Sequence, residues 1–219
     1  MTSNRFASIC APISMGFKGW LPAIENKGEG IYIEVDQKAL AIWEKRPEVI
    51  ERMGLLSRNY LRSSQGNAMD GDVLEPTARL VMLHTLSHLL IRQLSLECGY
   101  SSASLKERIY CADDYCGVLI STASAASDGT LGGLVRQGKP KNFVNTLINA
   151  LHDAEWCSSD PLCIDSEGQG SEALNLAACH ACALVSETSC ELRNMFLDRG
   201  LVIGTLDKPS MGLFSDLLF

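Results

Sequence analysis

Five of the nine cysteines in this chain fall between positions 157 and 190, in "WCSSDPLC" and "ACHACALVSETSC". Two residues separate Cys179 from Cys182, a spacing that lets both thiolates of a tight turn face one ion. Cys157 and Cys163 bracket "SSDPL", where Asp-Pro marks a bend. Fifteen residues then separate Cys163 from Cys179. A pair, a spacer of that length and a C-x-x-C have the general form of a tetrahedral zinc site. Cys190 follows seven residues after Cys182, at a predicted helix start whose positive dipole end favours a thiolate. Five cysteines therefore compete for four positions around Zn2+. Cys163, Cys179, Cys182 and Cys190 form the first set, and Cys157 can replace any one of them. His180 sits inside the C-x-x-C and is expected to point away from the ion. Buried free thiols are the plain alternative, since cysteine is among the most buried residue types. Redox or iron–sulfur chemistry is a third reading that spacing alone leaves open.

Other residues also invite chemical readings. His84 and His88 lie four apart in "HTLSH", hence on one helix face, as in zinc peptidases. The acid that would activate water is missing, because Thr85 follows His84. Buried histidines bonded to backbone or neighbouring side chains are the expected reading, and a metal-dependent hydrolase on His84 and His88 is the alternative. The loop "SDGTLGGLVRQG" could offer the amides of Gly129, Gly132 and Gly133 to an anion at a helix start. It lacks the G-x-G-x-x-G form, and close backbone packing is the preferred role. No G-x-S-x-G elbow and no G-x-x-x-x-G-K-[ST] loop occurs. Cys10, Cys98, Cys111 and Cys116 read as ordinary thiols.

These residues need elements to position them. The strongest helix is "ARLVMLHTLSHLLIRQLSLEC", capped by Thr77 and stopped by Gly99; apolar on most sides, it is expected to be central and buried. "GIYIEV" (30–35) and "GVLIST" (117–122) read as strands. "QKALAIWEKRPEVIERMGLL" reads as helix–break–helix around Pro47, and "NFVNTLINALHDAEW" as an amphipathic helix. "EALNLAAC" (172–179) and "CELRNMFLDRGLV" (190–202) are expected to be helical. The polar stretch 57–72 is the best linker candidate. The organisation expected is an irregular strand–helix segment at 1–72, a zinc-binding domain at 73–203 and a tail at 204–219 that docks on a partner. The fold class is α+β and helix-rich, with a central buried helix, a small sheet and a zinc-stabilised C-terminal loop region.

Composition bounds the rest. The 219 residues suffice for a core without covalent staples. No apolar run is long enough to span a membrane, and the N-terminus lacks a signal-peptide pattern, so the cytoplasm is the expected compartment. A reducing compartment and an odd cysteine count disfavour a disulfide frame. The formal net charge of −7 disfavours broad nucleic-acid binding, which needs Lys and Arg against phosphates. "RQGKPK" (136–141) is a short basic stretch best read as a solvated turn.

Several longer stretches carry a family resemblance: "HTLSHLLIRQLSLECGYSSASLKERIY", "GVLISTASAASDGTLGGLV", "WCSSDPLC", "LNLAACHACALVSETSCE", and also "GEGIYIEV" and "WEKRP". Over roughly residues 18–203 the chain resembles the cysteine-cluster domain that ends DrmB proteins of DISARM anti-phage systems. It is similar to the zinc-binding domain that ends MrfA-type DNA-repair helicases. In "CELRNMFLDR", Cys190, Asn194, Leu197, Asp198 and Arg199 match the helicase pattern of a third cysteine, an Asn and Leu-Asp-Lys, with Arg in place of Lys. The resemblance implies a non-catalytic zinc-binding accessory module of a helicase-linked anti-phage defence or DNA-repair complex. It implies a SNF2-like, DrmA-like helicase subunit as partner, with recognition of foreign DNA assisted through that motor. The chain is shorter than a full DrmB and has no ATPase signature, so no motor activity carries over.

Overall fold

A computed structural model of the chain describes residues 19–20, 28–64, 66, 76–112, 114–122 and 133–218. Cys10, Gly129 and Gly132 lie outside the described residues, as do most of 1–27 and residues 65 and 67–72 of the expected linker.

The element order is β1 (Gly30–Glu34), α1 (Gln37–Trp43), α2 (Pro47–Arg62), α3 (Ala78–Cys98), β2 (Leu105–Cys111), β3 (Cys116–Thr122), α4 (Gly133–Gln137), α5 (Pro140–Ala154) and α6 (Gly200–Ile203), with short 3-10 turns between and after them. The class is α+β and helix-rich. β3 lies between β1 and β2, antiparallel to both. Ile31 faces Ile120 in one ladder, and Glu107 faces Ile120 in the other. β2 alternates buried Leu105 and Glu107 with exposed Lys106 and Arg108, so one face of the sheet meets the core.

α3 is the centre of the molecule. The Leu80 amide donates to Thr77 Oγ1 at 3.3 Å, and Gly99 closes the helix at φ 72°, a left-handed conformation suited to glycine. Leu83, Leu90, Ile91 and Leu94 are fully buried, packed against the sheet, α5 and α6. Each such side chain contributes about 1.5–3 kcal/mol relative to exposure. Polar residues on the same helix are buried too. Thr85 Oγ1 donates back to the Val81 carbonyl at 2.7 Å, and Ser87 Oγ to that of His84 at 2.7 Å.

The structure corrects three expectations. α2 continues to Arg62, so the first part of the 57–72 linker is helix. "EALNLAAC" forms one 3-10 turn (Ser171–Ala173), and of 190–202 only the part from Gly200 is helical. The reason is local competition for the backbone. Arg193, Asn194 and Phe196 hold positive φ values of 55°, 55° and 62°, which no right-handed helix accommodates. Asn175 Nδ2 donates to the Asn194 carbonyl at 2.8 Å, and its Oδ1 accepts from Leu197 N at 3.0 Å. Residues 174–177 and 196–199 then pair along their backbones through Leu176 N to Leu197 O, Phe196 N to Leu174 O and Arg199 N to Ala177 O. The tail also makes hydrogen bonds within its own chain. Leu213 N donates to Leu201 O at 3.0 Å, and the buried Trp43 indole donates to Met211 O at 2.7 Å.

Candidate metal centre

Cys157, Cys163, Cys179 and Cys182 converge, with their sulfurs within 4.8 Å of one another. Sγ distances are 3.5 Å for Cys157–Cys179, 3.7 Å for Cys163–Cys182 and 3.7 Å for Cys179–Cys182. A disulfide would require about 2.05 Å, so these are free thiols in contact. A tetrahedron with zinc–sulfur bonds of about 2.3 Å has edges of about 3.8 Å, which matches the cage. The donor set therefore fits Zn2+: four cysteines bonded as thiolates would leave two net negative charges on the site.

Two loops carry the four sulfurs, and both are pinned from outside. The first leaves the end of α5. Asp160 Oδ2 accepts from Cys157 N at 2.9 Å and its Oδ1 from Ile164 N at 3.0 Å, which closes the turn between the two cysteines. The fully buried Arg199 donates to that Asp160 oxygen and to the Ala154 carbonyl at the end of α5, the latter at 2.7 Å. The second loop is a tight turn in which Cys182, Ala183 and Leu184 all donate to the Cys179 carbonyl. From α3, Arg92 donates to Ala181 O at 2.7 Å and Leu184 O at 3.3 Å. N–H groups point at the sulfurs: Ser159 N at Cys157, Cys179 N at Cys182, and Gln169 Nε2 at Cys163. Such donors suit thiolates. The hydrogen bond from the Cys182 thiol draws Cys163 down to about 5, with Gln169 and the Arg199 charge adding to it. The same contact pushes Cys182 up. His180 is exposed on this turn and contributes only backbone.

Cys190, a member of the first candidate set, is placed elsewhere. Glu107 N donates to Ser189 O at 3.0 Å, which fastens the residue before Cys190 to the edge of β2. Its sulfur is thereby held against α3, where His84, His88, Glu107 and Cys190 form a second cluster with donor atoms within 4.8 Å of one another. Cys157 takes the place among the four that Cys190 was expected to fill. His84 and His88 are fully buried, as expected, but Glu107 was missed by sequence reading. The signal was present: the alternation of "LKERI" puts Glu107 on the same inward face as Leu105. Burial raises the Glu107 carboxyl, yet the His84 and His88 rings facing it outweigh that and hold the group below the usual carboxylate range. Burial pushes the Cys190 thiol up to about 12, and nearby Glu107 adds to that.

At the start of α4 a carboxylate of the protein already occupies the amides. The α4 amides of Leu134 and Val135 donate to the carboxylate of the buried Glu29, at 3.3 and 3.1 Å. Gly133 packs near the Tyr100 ring, whose hydroxyl donates to the same carboxylate at 2.5 Å. Among the described residues no helix is long and apolar enough to cross a membrane.

Comparison with known proteins agrees with this geometry. Residues 86–183 match the family model of the MrfA Zn-binding domain. All four cysteines of the first cluster lie inside the matched segment, whereas His84 and Cys190 lie outside it. The chain is also 42% identical over 209 residues to DISARM protein DrmB of Bacillus paralicheniformis. That alignment covers 94% of this chain and 36% of the relative, so the chain spans about a third of that protein's length. With four thiols caged inside the matched segment, residues 86–183 are similar to the MrfA Zn-binding domain, and the chain is similar to DISARM protein DrmB along nearly its whole length.

Proposed function

We propose that the chain is a non-catalytic, zinc-binding accessory module of a helicase-linked anti-phage defence complex, with Zn2+ held by Cys157, Cys163, Cys179 and Cys182. The observation that carries the ligand set is the sulfur cage, three of whose edges are 3.5–3.7 Å and suit a tetrahedral ion. Zinc at this point ties α5, the 157–164 loop and the 179–184 turn together, in a region where residues 155–199 contain no α-helix or strand. Its role is thus to order the part of the domain at 73–203 that has little regular structure. The defence context rests on the likeness to DISARM protein DrmB. The partner in this reading is a SNF2-like, DrmA-like helicase subunit that supplies the motor. The net charge of −7 favours contact with DNA chiefly through that motor rather than through this module. Thiolate ligation of this kind suits the reducing cytoplasm. Against a hydrolase on His84 and His88 stands their complete burial, which leaves substrate no path to either ring.

The test is made in the native operon. Cells carrying the intact system and cells carrying Cys163→Ser are challenged with phage, and the complexes are purified through the helicase subunit. The expected result is co-purification of the wild-type chain with the helicase, and loss of both association and protection in the variant. A wild-type chain that never associates with the helicase, or a zinc-free Cys163→Ser variant that protects fully, would overturn the reading.

A further inference from the structure

The geometry points to a second, structural zinc site formed by His84, His88, Glu107 and Cys190, independent of the four-cysteine cage. His84 Nε2 lies 3.2 Å from Cys190 Sγ and 3.2 Å from Glu107 Oε1; His88 Nε2 lies 3.5 Å from the same oxygen. Zinc bonded to nitrogen and oxygen at about 2.0–2.1 Å and to sulfur at about 2.3 Å gives tetrahedral edges of roughly 3.3–3.6 Å. These three separations of 3.2–3.5 Å lie close to those edges, and all four donor atoms are within 4.8 Å of one another.

The ring orientations specify what faces the centre. His84 Nδ1 meets the Phe196 carbonyl at 3.3 Å, and His88 Nδ1 meets the Ala183 carbonyl at 2.9 Å. A carbonyl only accepts, so each Nδ1 carries a proton, and a ring with no second proton turns its Nε2 lone pair inward. Metal-bound histidines are held in this way by a backbone acceptor on the far nitrogen. His88 Nε2 is fully buried and has no hydrogen-bond partner. Such an orphan is costly unless something fills its lone pair.

The remaining two donors accept N–H groups of the kind that suit a metal-bound thiolate and carboxylate. The Cys190 sulfur accepts from Leu192 N at 3.3 Å and Asn194 N at 3.1 Å, the type of N–H···S contact found at the cysteine cage. Glu107 accepts from Glu191 N at 3.0 Å. Among the salt bridges of the described residues, no lysine or arginine reaches Glu107. A thiol and a carboxylate facing two imidazoles, with no lysine or arginine salt bridge to the carboxylate, make a donor set for a divalent ion. The mixed nitrogen, sulfur and oxygen set suits zinc, and four protein ligands without an open position make the site structural rather than catalytic. Its position adds a reason for its existence: it links α3, β2 and the 190–196 turn, the seam between the sheet and the C-terminal loops.

The test uses the 219-residue chain, purified without tags and without added metal, with zinc counted per chain by elemental mass spectrometry. X-ray absorption at the zinc edge of the same sample reports the atoms bonded to zinc. Two zinc ions are expected, with an average of about two and a half sulfurs and one and a half nitrogen or oxygen neighbours per zinc. Cys190→Ala is expected to lose one zinc and return an all-sulfur spectrum. One zinc per wild-type chain in an all-sulfur environment would overturn this site and leave the cysteine cage standing. A second zinc that survives Cys190→Ala would overturn it as well. One zinc in a nitrogen- and oxygen-rich environment would support this site and refute the cage instead. Because the wild-type spectrum decides between these outcomes, a variant that fails to fold does not remove the test.

Discussion

Replacing Arg199 with Met removes a guanidinium that fits no other side chain at its position. Methionine retains much of the buried stem, so the loss is chiefly polar. Arg199 is fully buried, while the Asp160 side chain it pairs with is 18% exposed. Breaking one half of a buried ion pair costs about 3–5 kcal/mol. Partial exposure of Asp160 places this pair at the lower end, and the Ala154 carbonyl also loses its donor. The expected destabilisation is about 3–4 kcal/mol. A second effect follows from where Asp160 stands. Its two oxygens hold Cys157 N and Ile164 N, so a released carboxylate loosens both cysteines of the first loop. Loss of a group that orients zinc ligands typically costs 10–100-fold in metal affinity. Urea unfolding of the zinc-loaded chain reads the first quantity, and competition with a chromophoric chelator reads the second. Adding Asp160→Asn to Arg199→Met is expected to recover part of the stability, since the orphaned charge goes with it. A destabilisation below about 1 kcal/mol with unchanged zinc affinity would refute the reasoning.

Two further outcomes follow from single side chains. Asn194→Ala removes both hydrogen bonds to the Val185 backbone, Val185 N to Oδ1 at 3.1 Å and Nδ2 to Val185 O at 3.0 Å, and puts alanine at φ 55°. At about 1 kcal/mol for each bond and at least as much for left-handed strain, the loss is about 3 kcal/mol by urea unfolding, and a loss under about 1 kcal/mol would contradict it. Glu97 responds to pH: burial raises its carboxyl, but hydrogen bonds from Gln93, Thr146 and Asn149 prevail and lower it below its ordinary 4.5. A lowered folded-state value gives stability that is present above pH 4.5 and is lost as pH falls through the folded value, so the melting-temperature gap between wild type and Glu97→Gln should narrow on acidification; a constant gap would contradict it.

Local signals made much of the fold legible. Thr77 and Gly99 delimit α3 because capping and left-handed closure are properties of single residues. Pro47 separates α1 from α2 for the same kind of reason, opening the second helix where its missing N–H costs nothing. The C-x-x-C and the "SSDPL" bend announced two loops of the cage, since both spacings are short enough to be set by the chain itself. Cys190 was harder because no local rule places it. Its position depends on Ser189 pairing with Glu107, a contact between residues 82 apart in sequence. Glu107 escaped notice because a charge on the inward face of a strand looks like noise until the histidines opposite are seen. The stretch 190–199 has helical composition, yet Asn175 and Asn194 divert its backbone with hydrogen bonds that no periodicity records.

The most direct measurement of the ligand set is zinc-edge anomalous diffraction from crystals of the chain. A peak about 2.3 Å from each of the sulfurs of Cys157, Cys163, Cys179 and Cys182 is expected, with Cys190 bonded to a different ion. A peak that includes the Cys190 sulfur in place of Cys157, or no peak inside the four-cysteine cage, would contradict it.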